Sequence, residues 1–320
     1  MAHDHDVVGL DNFAKYGPSR PSGLDHPRYR FVEGDAKDGQ LLGELLADCD
    51  HLVAAAAQVG GIAYFHHYAF DLLAENERIT AAAFDAALAT YRARRLRKIT
   101  VLSSSMVFER VTAFPTVEGE ELRSPPPASS YGFQKLAIEY FARAAWEQYG
   151  LPYTIARPFN CVGIGERRTR HGDEVLSGNV RLAMSHVVPD LVLKVLKGQD
   201  PLRLLGDGSQ VRHYTYGGDL ARGIRLCMEH PAAENEDFNL STARGTTVLE
   251  LAEMIWRKIH GPNRSFRYEC DEPLPHDVRR RIPSVEKAKR LLGFEAATSL
   301  DTVLDEVIPW IARQADAGTV

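Results

Sequence analysis

Cysteine is scarce in this sequence: four residues among 320, with no C-x-x-C pair. Cys49, Cys161, Cys227 and Cys270 lie far apart, which supports neither a metal site nor a disulfide framework. The amino terminus, MAHDHDVVGL, lacks the basic start and apolar core of a secretory signal. No stretch approaches the roughly eighteen apolar residues that cross a bilayer. An excess of one charge sign is also missing, since the net charge is -5 and no long block of like charge occurs. The densest basic run, Tyr91 to Lys98, closes a helix-like stretch, where cations complement the helix carboxyl end. These absences point to a protein of the reducing cytoplasm without a metal, a membrane anchor or a nucleic-acid partner.

What is present suits a large α/β unit or two modest domains, with 44% hydrophobic residues to build the core. Short apolar runs at Asp6–Leu10, Tyr29–Val32, His51–Ala55 and Lys98–Ser103 read as strands. Helix-like segments, Gly39–Ala47 and Phe70–Arg95, lie between them, and Ser130–Tyr149 with the strand Tyr153–Ala156 follows. This alternation predicts a doubly wound parallel sheet covered by helices. After Asn160 the pattern changes. Gly165–Gly178 is polar and charged and reads as a loop or lid. Helices are expected near Ser185–Leu196, Asp219–Glu229 and Thr247–Ile259, with strands near Leu202–Leu205 and Asp237–Leu240, giving a smaller mixed α/β lobe.

The strongest chemical signal is Tyr131-Gly-Phe-Gln-Lys135, which follows Ser103-Ser-Ser-Met-Val-Phe108 after a proline-rich loop. On a helix Tyr131 and Lys135 are i and i+4, so both side chains leave one face. An ammonium beside a phenol favours the phenolate and suits it to acid/base work. A serine at a strand end can hydrogen-bond the same substrate oxygen.

With these motifs the chain resembles the extended short-chain dehydrogenase/reductases of the nucleotide-sugar epimerase/dehydratase type, over almost its whole length. The resemblance implies a Rossmann-like domain over residues 1–160 that binds NAD. A nucleotide-sugar lobe over 161–320 would follow, with some chain crossing back. It implies that Tyr131 is the acid/base, that Lys135 supports it and holds the nicotinamide ribose, and that Ser104 completes the triad. Asp11 and Asn12 resemble the end of the second strand, where a carboxylate binds the adenosine ribose and favours NAD over NADP. Asp35 resembles the adenine contact, and Ala55 and Ala56 the small residues over which the cofactor passes. Asn76 matches a position that braces the active-site helix, and Pro158 belongs to the same cofactor set.

On the substrate side, Arg157-Pro-Phe-Asn160 resembles the segment whose asparagine reaches the nucleotide. Arg212 in Gly206-Asp-Gly-Ser-Gln-Val-Arg212 resembles the arginine on the diphosphate. Arg281, one of three adjacent arginines, resembles a last phosphate contact; a guanidinium binds phosphate oxygens in a fork. Ser105 and Met106 stand where 4,6-dehydratases of this type carry Asp-Glu. GDP-fucose synthase-like members carry a reactive cysteine at the Met106 position, paired with a histidine, and Ser185-His-Val-Val-Pro189 resembles the segment of that histidine. His186 is therefore a substrate-side candidate, whereas His66, His67 and His171 read as solvated or packed. The resemblance further implies a homodimer built on two long helices.

One family element is absent. The G-x-x-G-x-x-G turn that brings backbone N–H groups to the pyrophosphate is not found, and Gly60-Gly61 and Gly217-Gly218 have the wrong spacing. The chain opens at what resembles the second strand, so either its start lies further upstream or it is a trimmed member with weakened cofactor binding. The expected chemistry is transient oxidation at sugar C4, as in a 4-epimerase. The alternatives are a 4,6-dehydratase and a cofactor-deficient pseudoenzyme.

Overall fold

The structure is a computed structural model that describes residues 5–18, 25–59, 68–166, 175–177, 180–182, 186–272 and 278–318. Its first half runs β1 (Val7–Asp11), β2 (Tyr29–Glu33), α1 (Gly39–Leu46), β3 (His51–Ala54), α2 (Ala69–Arg92), β4 (Lys98–Leu102), α3 (Ser130–Tyr149) and β5 (Tyr153–Pro158). The second half continues with β6 (Cys161–Val162), β7 (Val175–Ser177), β8 (Val180–Leu182), α4 (Val187–Leu196), β9 (Leu202–Leu205), β10 (Val211–Arg212), β11 (Thr215–Tyr216) and α5 (Gly217–Glu229). Strands β12 (Glu236–Leu240) and β13 (Thr246–Thr247), helix α6 (Val248–His260), β14 (Tyr268–Asp271), and helices α7 (Glu286–Leu292) and α8 (Leu300–Asp316) complete it.

Local chemistry sets several of these boundaries. Asp38 accepts from the amides of Gln40 and Leu41 at the start of α1, and Ser129 accepts from Gly132 at the start of α3. Thr247 and Glu250 close a reciprocal capping box on α6. Gly150, at a φ of 71°, ends α3 in the left-handed region, which a residue without Cβ enters at no steric cost.

Four strands pair in parallel in the order β12-β5-β4-β3, and β1 pairs with β2 in a separate parallel ladder. Among the described residues no pairing joins β1 to β3, so the parallel sheet is in two pieces. The middle strands are buried along their length, polar residues Lys98, Thr100, Thr154 and Arg157 included, because helices cover both faces of the sheet. Phe84, Ile99, Val101, Ile138 and Ile155 fill the core between this sheet and the helices α1 to α3. The opposite face is covered by Leu220, Phe238, Leu292 and Phe294. Residues 217–240 lie beyond Asn160 in the chain, yet α5 and β12 belong to this first layer.

A separate core, built around Val192, Trp256, Val303 and Leu304, joins α4, α6 and α8 to β9. Helix α8 and the shorter α7 have no counterpart in the expectations drawn from sequence. Their apolar stripe is nevertheless plain, with Leu300, Val303, Leu304, Val307 and Ile311 all buried. The expected lid is corrected in one respect: Val175–Ser177 is a strand paired with Val180–Leu182, not loop. Its stretch 167–174 lies outside the described residues, as do Gly60, Gly61, His66, His67, His171 and Ser185.

Candidate active site

The carboxyl ends of β4 and β5, the start of α3 and the helices of the smaller lobe enclose a cleft of about 640 Å³. Parallel α/β sheets bind ligands at this edge. Ser104, Ser105, Met106, Tyr131, Lys135, Pro158, Asn160, His186, Arg212 and Arg281 all line it. These residues come from six separate segments of the sequence, and folding brings them together.

Ser104 ends the extended run after β4, and its hydroxyl caps the 3₁₀ turn Ser105–Phe108. That turn presents Ser105 and Met106 to the cleft. Helix α3 approaches so closely that a Cβ on Gly132 would stand 2.7 Å from the Pro127 side chain and 2.9 Å from the Met106 carbonyl oxygen. Glycine after the tyrosine is thus a packing requirement.

Burial raises the Tyr131 phenol above its ordinary value, against the pull of its hydrogen bond with Ser104 and of the Arg281 charge. Burial also lowers the Lys135 ammonium to about 8. Its Nζ donates to the Leu102 carbonyl at 2.9 Å and stands 6.0 Å from the centre of the Tyr131 ring. Lys135 thus lies over the Tyr131 ring while tied to the strand, and Arg281 is a second cation whose charge acts on Tyr131.

Arg281 is singled out from its two neighbours by backbone pairing. Val211 forms a bridge with Arg280, which lays the arginine segment along β10 and carries Arg281 to the cleft, while Arg279 and Arg280 are exposed. Asn160 has a left-handed φ of 39°, and its buried Oδ1 makes no hydrogen bond. This acceptor is therefore available to a group bound in the cleft that Asn160 lines. His186 Nδ1 lies 2.8 Å from Glu166 Oε1, an acid that no sequence motif had drawn attention to.

The expected cofactor residues divide. Asp11 and Asn12 are exposed at the end of β1, where their side chains accept from the amides of Phe13 and Ala14. Asp35 follows β2 and accepts from the Lys37 amide at 2.9 Å. None of the three lines the cleft, and neither does Ala56. Ala55, Ala57 and Val59 do, because successive residues of an extended segment face opposite ways. Asn76 is also corrected: it braces the segment after β3, not α3. It accepts from the Gln58 amide at 2.7 Å and donates to the Gln58 carbonyl at 3.0 Å. Sequence reasoning missed Tyr16, Asp190, Lys194 and Trp310, which close the cleft from distant segments.

A serine, tyrosine and lysine at the edge of a parallel sheet, under a second lobe, define the class of extended short-chain dehydrogenase/reductases. The sequence pattern of the NAD-dependent epimerase/dehydratase family matches residues 1–241, and the chain belongs to that family. A provisionally named GDP-L-fucose synthase 2 of Oryza sativa subsp. japonica is 29% identical over 274 residues, spanning 84% of this chain and 73% of the relative. A UDP-glucose 4-epimerase of Lacticaseibacillus casei is 26% identical over 330 residues, spanning 97% and 90%. The crystal structure of a UDP-glucose 4-epimerase from Thermotoga maritima with UDP-glucose superposes with a TM-score of 0.78. It is 25% identical and covers 98% of this chain and 93% of its own.

The cofactor of the family is NAD. The cleft fits its nicotinamide half: the small side chains of Ala55 and Ala57 line the same cavity as Pro158, Tyr131 and Lys135. For the pyrophosphate the sequence holds no glycine-rich turn.

Proposed function

We propose that this protein interconverts C4 epimers of a nucleotide-activated sugar by transient oxidation at C4. The observation that carries this reading is the sugar end of the cleft, where Ser104 and Tyr131 meet beside Ser105 and Met106. Tyr131 would take the proton of the C4 hydroxyl while Ser104 hydrogen-bonds the same oxygen. Lys135 and Arg281 add positive charge, which favours the phenolate. Ala55, Ala57 and Pro158 would hold the nicotinamide of NAD, which would supply the acceptor for the C4 hydride. Arg212 and Arg281 would hold the diphosphate, and Asn160 would donate to or accept from the nucleotide. Neither Ser105 nor Met106 offers a carboxylate to take and give protons at C5 and C6, so the ketone would be reduced again rather than dehydrated.

Incubation with UDP-, GDP-, CDP- and dTDP-sugars, followed by separation of C4 epimers, tests the reading. Accumulation of a 4-keto-6-deoxy sugar would replace it with the dehydratase. A second reading, a nucleotide-sugar binder without turnover, draws on the break in the sheet between β1 and β3. NAD released on denaturing the purified protein would count against that second reading.

The exposed side of α3 supports a homodimer. Phe133, Tyr140 and Phe141 are exposed and line a shallow apolar groove with Leu122 and Pro126. Exposed aromatic clusters of this kind mark association surfaces.

A further inference from the structure

Helix α3 reaches the end of β4 three times. Tyr131, Lys135 and Glu139 succeed one another at i, i+4 and i+8, so they share a face. Each meets a different residue of one short stretch: Tyr131 meets the Ser104 hydroxyl, and the Lys135 ammonium meets the Leu102 carbonyl at 2.9 Å. Glu139 Oε1 accepts from the Ser103 hydroxyl at 2.5 Å. The first two contacts belong to the candidate active site. The third lies one turn deeper, and Glu139 is fully buried.

A buried carboxylate is costly unless it is paired and hydrogen-bonded. Glu139 is gripped by Arg157 of β5, whose Nε and Nη2 donate to its two oxygens at 2.6 and 2.7 Å. The same guanidinium reaches Glu121 at 2.8 Å and Asp237 at 2.7 Å. Arg143 adds bonds to Glu121 at 2.9 Å and to Glu139 at 3.2 Å. Apolar side chains of similar volume would often fill such a space with equal or better stability. What a two-bond fork adds is direction, because it fixes the plane and the position of the carboxylate.

We propose that Glu139 is a positioning residue: clamped by Arg157, it holds Ser103 and thereby sets the height and rotation of α3 against β4. That setting brings Tyr131 to Ser104 and Lys135 to the Leu102 carbonyl. The inference rests on the reading of Ser104, Tyr131 and Lys135 as the reactive group, and it concerns a residue that touches neither substrate nor cofactor.

Three variants test it. Ser103→Ala removes the hydroxyl and leaves every Arg157 contact in place. Glu139→Gln keeps the volume and removes the charge. Asp237→Asn breaks the far side of the cluster without touching Ser103 or Glu139. The readout is the titration of the Lys135 side chain, followed by NMR of carbon-labelled lysine and assigned with Lys135→Arg. Loosening the seam admits water, so in Ser103→Ala and Glu139→Gln the midpoint should rise from about 8 toward the ordinary lysine value. With a nucleotide sugar that turns over, kcat should fall on the order of tenfold while KM is unchanged. Asp237→Asn should melt earlier with the Lys135 midpoint unmoved.

An unmoved midpoint in Ser103→Ala overturns the proposal, and so does an equal rise in Asp237→Asn. If Glu139→Gln does not fold, Glu139→Asp takes its place, because the Ser103 hydroxyl also donates to the Lys135 carbonyl at 3.2 Å and its loss alone does not isolate Glu139. If no nucleotide sugar is turned over, the midpoints still decide the positioning role, and only the reading of the reaction fails.

Discussion

Replacing Lys135 by methionine should remove activity and make the cofactor-free protein more stable at neutral pH. The ammonium is only 5% exposed, and burial lowers it from 10.5 to about 8. A shift of that size amounts to ~3 kcal/mol against the folded state. Methionine fills a similar volume without a charge but leaves the Leu102 carbonyl without its donor, a loss of about 1 kcal/mol. The net gain is therefore ~2 kcal/mol in favour of the variant. The unfolded chain binds the lysine proton more tightly than the folded one. The penalty is thus complete below pH 8, fades as pH rises from 8 toward 10.5, and is absent above. Urea unfolding at a series of pH values reads this directly. The Lys135→Met midpoint should exceed that of the natural protein at pH 7, and the gap should close toward pH 10. A variant less stable at pH 7, or a gap that does not change with pH, would refute the argument that burial of this charge dominates its energetics.

Tyr131→Phe should lower the interconversion of C4 epimers at least ~100-fold, the scale of a positioned acid/base, with the nucleotide sugar still bound in equilibrium dialysis. Burial would raise the Asp237 carboxyl, but Arg157 and Lys287 hold it down to about 2. It contributes ~2 kcal/mol above its unfolded value that is lost as pH falls toward 2, so the deficit of Asp237→Asn in urea should shrink on acidification. Asp11 is free of other ion pairs among the described residues, and Asp11→Ser should raise NADP binding relative to NAD, read as a ratio of dissociation constants. Tyr140→Glu sets a charge in the exposed aromatic groove and should shift a dimer to monomer in sedimentation, without loss of helical signal.

Much of this site is legible in sequence for a geometric reason. Tyr131 and Lys135 share a helix, so their spacing alone fixes that they face the same way, and a serine at a strand end needs only the strand to be placed. Extended segments are less forgiving. The sequence points to Ala55 and Ala56, whereas Ala55 and Ala57 line the cleft, because a shift of one residue changes the face and nothing in a run of alanines marks the register. Arg281 could not be separated from its neighbours until Val211 paired with Arg280. Glu166, Asp190, Lys194 and Trp310 come from segments that meet only when the smaller lobe packs, and no local pattern announces them.

The charged cluster is the hardest part to foresee, since Arg157 and Glu139 break the rule that keeps such side chains on the surface. In sequence Arg157 reads as the start of a substrate motif and Glu139 as one more polar residue of a helix. Only the parallel pairing of β4 and β5 brings the guanidinium under α3, two turns from Tyr131. The physical consequence reaches the site itself. The seam that Glu139 helps to close is the same one that dries Lys135, and drying is what lowers its proton affinity. Burial that weakens the fold at neutral pH is therefore bound up with the geometry that the reaction requires, which is why relieving it at Lys135 should stabilise the chain and silence it together.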